Sequence, residues 1–469
     1  MRKIVILFIS LLLENFAYPF EIKNENFEYA GFLKTEVWLK INNDNQHLFL
    51  SSFKNTFDLE TEYKISENWV FFTHLRYYYD FAYDIRNREN FDRNQSISGH
   101  TPRTHWLRDC YLDFNSDKLD LRLGKQQVVW GQTDIPILDR VMPLDLSWWW
   151  LRDLEEIRIP LWMIKAEYLT SLNSTLQVLI IPDFEANRSA PAYDTFSFRS
   201  VNAFYDFKNL MKSLGGNVIV KNYSVPKKFK NSTFGVRWRS IIPGFDLEYT
   251  FNYLYGYTYS AYTYFEGVKN IKGIFGALPI ADYYYSRRHK RYQLFGFSFA
   301  KSFVEAGILK GLTLKGEFCF IHKEPAYYGI SGSRVITENT DKYNWGLALE
   351  RYIFTNWLVN LQLLQFRTKD FTKQGYKLLD TATYGIQDKY ENYLILKVMT
   401  DFMHERLKPE LLILWQDDNS GRIVSKVKYE LRENIWLKLG VAHFFGELDT
   451  PNGEFRNKDQ LFFEVKYTF

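Results

Sequence analysis

From residue 27 onward the chain alternates apolar and polar side chains one by one. Phe27, Tyr29, Leu33, Val37, Leu39 and Ile41 fall on one face, with Glu28, Lys34, Glu36 and Lys40 on the other. The beat returns in 55–65, where Phe57, Leu59, Tyr63 and Ile65 oppose Asp58, Glu60, Glu62 and Lys64. It returns again in 245–253 (Phe245, Leu247, Tyr249, Phe251, Tyr253 against Asp246, Glu248, Thr250, Asn252) and in 422–431. A period of two puts successive side chains on opposite faces of a strand. Aromatics on one face and charges on the other fit a sheet held between lipid and water. The pattern therefore predicts an all-β protein, a transmembrane antiparallel up-and-down β-barrel of roughly eighteen strands, with about sixteen as the other count.

The connections support closure. Tight turns are expected at 66–68, 115–117, 171–173, 243–244, 355–356, 404–406 and 432–434. Long connections are expected around 84–103, 132–160, 183–230, 261–287, 324–340 and 369–388. Short periplasmic turns alternating with long external loops are the habit of outer-membrane barrels. An even strand number places both termini in the periplasm. Leu461, Phe463, Val465, Tyr467 and Phe469 alternate at the C-terminal end, the kind of strand that barrel-assembly machinery would bind through Phe469. Runs at Tyr77–Tyr79, Tyr253–Tyr264 and Tyr283–Tyr285 are expected as an aromatic girdle at the headgroup level.

Composition agrees. The 469 residues are 18% aromatic and 24% charged, and the mean hydropathy is −0.32. No run approaches the about 20 apolar residues that a membrane-spanning helix needs, and so aromatic a chain can bury too much surface to stay disordered. The net charge of +4 is too even for nucleic-acid binding, which calls for a concentrated basic patch. Arg2 and Lys3 followed by apolar 4–13 form the layout of a secretory signal peptide over 1–17, with 18–469 as the barrel. Together these predict an outer-membrane location, among lipids that include lipopolysaccharide. Cys110 and Cys319 fall in separate strands and are expected to stay unpaired.

Signatures of enzymes are missing. There is no nucleotide-binding glycine loop and no zinc-protease helix. Gly329-Ile330-Ser331-Gly332-Ser333 lacks the last glycine of a nucleophile elbow. The pair His100 and His105 has no cysteine beside it for zinc, and His74 reads as a lumen-facing polar residue. The expectation is no enzyme, no cofactor and no metal.

Residues 118–160 break the pattern. A strand leads into Gly124-Lys125-Gln126-Gln127-Val128-Val129-Trp130-Gly131, then a loop with Arg140, Pro143, Asp145, Trp148-Trp149-Trp150 and Arg152. Three adjacent indoles are costly to leave in water. The loop 132–160 therefore either enters the lumen as a constriction or packs on the rim. Gly124, Lys125, Gln126, Trp130, Gly131, Pro143 and Asp145 resemble the motif of a large uncharacterised family of gram-negative outer-membrane barrels, porin-like in architecture. Lys125 stands where that family more often has Arg, which weakens bidentate anion recognition there. The resemblance implies passage of a hydrophobic or lipid-like molecule, served by an inner-membrane pump of the resistance-nodulation-division type and a periplasmic carrier.

The functional expectation is a channel or transporter for a small solute or lipid-like molecule; the alternative is a non-transporting surface barrel that displays binding loops. Candidate translocation residues are Arg122, Gln126, Trp130, Arg140, Asp145, Trp148, Trp149, Trp150, Arg152, Arg237, Arg239 and Glu248. Lumen charge of both signs predicts weak ionic preference.

Overall fold

The computed structural model describes residues 25–41, 48–85, 106–135, 137–276, 278–304, 307–331, 334–369 and 389–469. The expected signal segment 1–17, most of the connections 84–103 and 369–388, and the pair His100 and His105 lie outside the described residues.

Eighteen strands form one closed antiparallel sheet. The first, Phe27–Ile41, pairs with Leu48–Lys64 on one side and with the last, Asp459–Thr468, on the other, so the sheet has no free edge. One end carries tight reversals. Between Thr233–Ile242 and Leu247–Tyr257 the chain turns through Gly244 at φ 79° and Asp246 at φ 47°, a left-handed region that glycine and short polar residues enter most readily.

Burial is inverted relative to a water-soluble protein. Phe57, Phe71, Phe295, Leu349, Leu363 and Val441 are exposed on the outer face, whereas Lys34, Glu36, Asp58, Asn252, Glu317 and Lys342 are buried inside. Strand parity explains this: one face of each strand turns outward, as the lipid-facing side of membrane barrels does, and the other turns into the barrel interior. The free cysteines Cys110 and Cys319 both sit on wall strands.

Beyond the long-loop end, residues expected to be connection form a second sheet. Asn217–Tyr223, Tyr262–Phe275 and Leu278–Arg288 make three strands, and the outer helix Arg199–Ser213 packs on one face. Phe204 meets Tyr285 at 5.4 Å and Phe207 meets Tyr283 at 5.0 Å, with Met211 completely buried between. Two readings are thereby corrected. Residues 261–287 are a hairpin, not a loop, and Tyr283 and Tyr285 are core residues of this outer sheet, not girdle. The helix, rather than lipid, supplies the apolar partner those rings need. The expected connection 324–340 is likewise mostly strand, because Leu312–Ser331 and Arg334–Ile353 continue past the barrel rim.

Candidate functional site

The segment 127–160 leaves the strand Leu119–Gln126 and returns in Leu161–Ser171. Between them it crosses the interior. On one wall the carboxylate of Glu317 accepts backbone N–H groups from Gln132, Thr133 (2.9 Å) and Leu138 (3.3 Å). Gln362 accepts the Asp134 N–H at 3.0 Å and donates its amide to the Asp134 carboxylate at 2.7 Å. These wall groups satisfy a loop backbone that would otherwise be buried without partners.

Apolar packing seats the same stretch. Trp130, Ile137, Leu138 and Val141 are completely buried against Leu179, Leu254, Leu294 and Cys319 of the wall. Inward-facing glycines make the sockets. A Cβ at Gly235 would lie 2.9 Å from the Trp130 ring, and one at Gly346 would lie 2.8 Å from Ile137. The Trp130 indole N–H donates to Gln177 at 2.7 Å. Gly124, at φ 142°, leaves no space for a side chain against Tyr111, and Ile159 N–H bonds the Pro143 carbonyl at 2.8 Å. Most of the motif noted in the sequence is thus the root and frame of the crossing segment.

On the opposite wall the segment meets charge. Arg152 donates to both oxygens of Glu36, at 3.2 and 3.3 Å, and lies 3.6 Å from Glu156. Lys34 reaches Glu156 at 2.8 Å and Glu36 at 3.5 Å, and Lys54 reaches Glu36 at 3.2 Å. Arg108 donates to the Glu155 carbonyl at 2.9 Å. Four cations here surround two carboxylates. Burial disfavours the charged form of Arg152, yet Glu36 and Glu156 more than offset that and hold it protonated; burial likewise opposes the Glu156 anion, which Lys34 and Arg152 hold ionised well below the usual carboxylate range. Farther along, Arg140 is ion-paired with Glu324 at 2.6 Å and Arg158 with Asp139 at 2.6 Å.

Beside this charge lies an aromatic cluster. Trp148 meets Trp38 at 5.2 Å and Phe196 at 5.5 Å, and the Arg152 guanidinium sits 4.8 Å over its ring. Trp149 meets Phe198 at 5.1 Å and Phe455 at 5.5 Å, and its N–H donates to Asn452 at 3.3 Å. Trp149 and Trp150 have φ of 43° and 61°, a conformation costing about 1–3 kcal/mol per residue outside glycine. The half-buried Trp150 ring has no stacking partner among the described residues. Asp145 accepts the Ser147 N–H at 3.1 Å and lies 3.9 Å from Arg188.

The remaining candidates stand apart from this cluster. Gln126 and Arg237 line the root: the Gln126 amide donates to the Met163 carbonyl, and Arg237 to the Val129 carbonyl. Arg122, Arg239 and Glu248 lie nearer the short-turn end, in a belt of wall ion pairs. Arg122 grips Asp113 with two bonds at 2.6 and 2.7 Å, and Arg239 pairs with Glu248 at 2.7 Å. Lys165–Glu167, Lys315–Glu350 and Lys438–Glu464 continue the belt. Asp58, Glu60 and His74 lie close enough to share a cation, but Arg76 already pairs with Asp58 at 2.5 Å, and His74 bonds both Asp58 and Asp109.

Sequence reasoning missed Glu317, Lys54 and the Phe196, Phe198 and Phe455 side of the cluster as site residues. Lys34 and Glu36 were visible only as members of a charged strand face, which is the signal that marks them as inward.

The family profile described as "Protein of unknown function (DUF1302)" matches residues 40–342, more than half of the chain, and the chain belongs to that family. No curated protein matches it. Among solved structures it is similar to Acinetobacter baumannii OccAB4, at 12% identity and a TM-score of 0.52, covering 95% of this chain and 99% of that one. Pseudomonas aeruginosa OccK8 (OprE) matches at 9% identity and 0.53, covering 95% and 98%. Acinetobacter baumannii OccAB1 matches at 8% and 0.51, covering 95% and 97%. The shared fold is that of outer-membrane porins.

Proposed function

We propose that this DUF1302 barrel is an outer-membrane transport channel whose passage is set by the segment 127–160, and that its cargo is amphipathic, with an anionic head and an apolar body. The observation carrying this reading is the juxtaposition at the crossing segment. A charge cluster with cations in excess (Lys34, Lys54, Arg108, Arg152 against Glu36, Glu156) adjoins the rings of Trp38, Trp148, Trp149 and Phe196. A cation-rich constriction selects for anions, and flat rings give an apolar body a surface to slide along. The belt of paired charges nearer the periplasm carries no strong sign of its own. A lipid-like cargo, a periplasmic carrier and an inner-membrane pump of the resistance-nodulation-division type fit this reading, with the carrier docking at the short-turn end.

Planar-bilayer recording tests it. Decanoate added to one side should interrupt the ionic current at concentrations where maltose does not. Equal block by both, or block by neither, would contradict the amphipathic-anion reading.

A further inference from the structure

A second site lies outside the lumen, where the outer sheet joins the barrel rim. There a cavity of about 360 Å³ is lined by Tyr223, Val225, Tyr257, Arg288, His289 and Lys290. Three chain segments meet at it: the exit of Asn217–Tyr223, the top of Leu247–Tyr257, and the link from Leu278–Arg288 to Arg291–Phe303.

Around the notch cations outnumber carboxylates. Lys290 lies 5.5 Å over the Tyr264 ring, and Arg291 lies 4.6 and 4.4 Å over Tyr255 and Tyr257. Arg291 uses two of its five N–H donors on the carbonyls of Ser232 and Lys230, which leaves three for a ligand. Neither Lys290 nor Arg291 has a carboxylate partner among the described residues, and the same holds for the exposed Lys228 and Lys230. The nearby carboxylates are already committed: Glu266 to Arg288, Asp183 and Glu185 to Lys227. His289 bonds the Thr258 carbonyl through Nδ1 at 2.7 Å.

The location selects the ligand. Arg291 pairs with Tyr257 in the strand register and shares the outward parity of Phe295 and Phe251, both exposed to lipid. Phe229, one residue from Lys230, is 67% exposed. Cations stacked on rings at the upper lipid boundary, next to a bare phenyl group, match a ligand with a phosphorylated head and acyl chains.

We propose that this notch binds the phosphorylated headgroup of an outer-leaflet glycolipid, with Lys290 of its lining and the adjacent Arg291 beside it as the phosphate ligands, and with Tyr257 of the lining and the neighbouring Phe229 against its apolar part. The inference rests on the outer-membrane reading of the barrel.

The test uses the full chain in lipid nanodiscs with defined lipid A, and native mass spectrometry to count bound lipid. K290Q/R291Q should lower occupancy by roughly tenfold, as expected for losing two charge-assisted contacts. K310Q, at the short-turn end, should leave it unchanged. Lipid A stripped of phosphate should bind the wild type and the double variant equally weakly. Displacement of lipid A by millimolar inorganic phosphate would show a free-anion site and overturn the lipid assignment. Equal occupancy in wild type and K290Q/R291Q would overturn the site itself. Heat-modifiable migration of each variant confirms a folded barrel. Density-gradient fractionation of membranes separates the two failures: absence from the outer-membrane fraction sinks the premise, and presence there without a lipid effect sinks only this inference.

Discussion

Arg152 on the crossing segment donates to both carboxylate oxygens of Glu36 on the first strand, at 3.2 and 3.3 Å across 116 residues of sequence. Glu36 is also an anion for Lys34 and Lys54, so a single carboxylate is shared by three cations on three elements. Its side chain is 3% exposed.

Replacing it should therefore be costly. E36Q leaves the buried Lys54 without its ion-pair partner and Lys34 and Arg152 with Glu156 alone, and breaking a buried pair typically removes about 3–5 kcal/mol. The midpoint of heat-modifiable migration in detergent is expected to fall clearly below that of the wild type. The same variant should also strengthen anion preference, read as a shift in reversal potential across a KCl gradient.

Trp130 and Gly235 form the matched knob and socket at the segment's root. W130A would open a cavity and remove the donor to the Gln177 side-chain oxygen, a loss of about 3–5 kcal/mol in a packed core. G235V would push the ring out from the wall side. Urea unfolding in micelles, followed by tryptophan fluorescence, should show both variants destabilised. A control at Trp238, exposed on the outer face, should change little when made Phe.

The contact between the loop near residue 454 and the outer helix should respond to pH. Burial pushes the Glu454 carboxyl up to about 7, although it accepts the Arg199 N–H at the helix start. Burial pulls Lys458, which donates to the Ser197 carbonyl, down to about 8. The folded state then holds more protons than the unfolded state between the ordinary Glu value and about 7, so docking weakens as pH rises through that window. Above about 8 the Lys458 contribution runs the other way, and docking recovers toward the ordinary Lys value. Hydrogen-exchange protection of 196–204, corrected for intrinsic rates, should decline from pH 5 to 7. In E454Q it should stay flat.

Much of the barrel was legible because two solvents impose it. Lys34, Glu36 and Asp58 alternate with Leu33, Val37 and Phe57 since one face must meet lipid, and that requirement is local. The three adjacent tryptophans likewise announced that 148–150 had to be covered. What covers them was not legible. Phe196 and Phe455 reach Trp148 and Trp149 only after the barrel closes, and Glu317 meets Gln132 across 185 positions. Such pairings depend on strand register around the whole cylinder, which no local period encodes. The outer hairpin was misread for a related reason. Its alternation in Tyr262–Phe275 and Leu278–Arg288 is as good as that of wall strands, but its partner is a helix rather than lipid.

The role of the crossing segment in passage is tested most directly by single-channel conductance in planar bilayers. R152A/W148A trims the charge and the ring that segment presents beside Glu36 and Trp38, while the seats at Trp130 and Glu317 stay intact. Conductance well above the wild-type value is the expected result. Conductance equal to the wild type, from a folded barrel of unchanged stability, would show that ions pass elsewhere and would contradict the account.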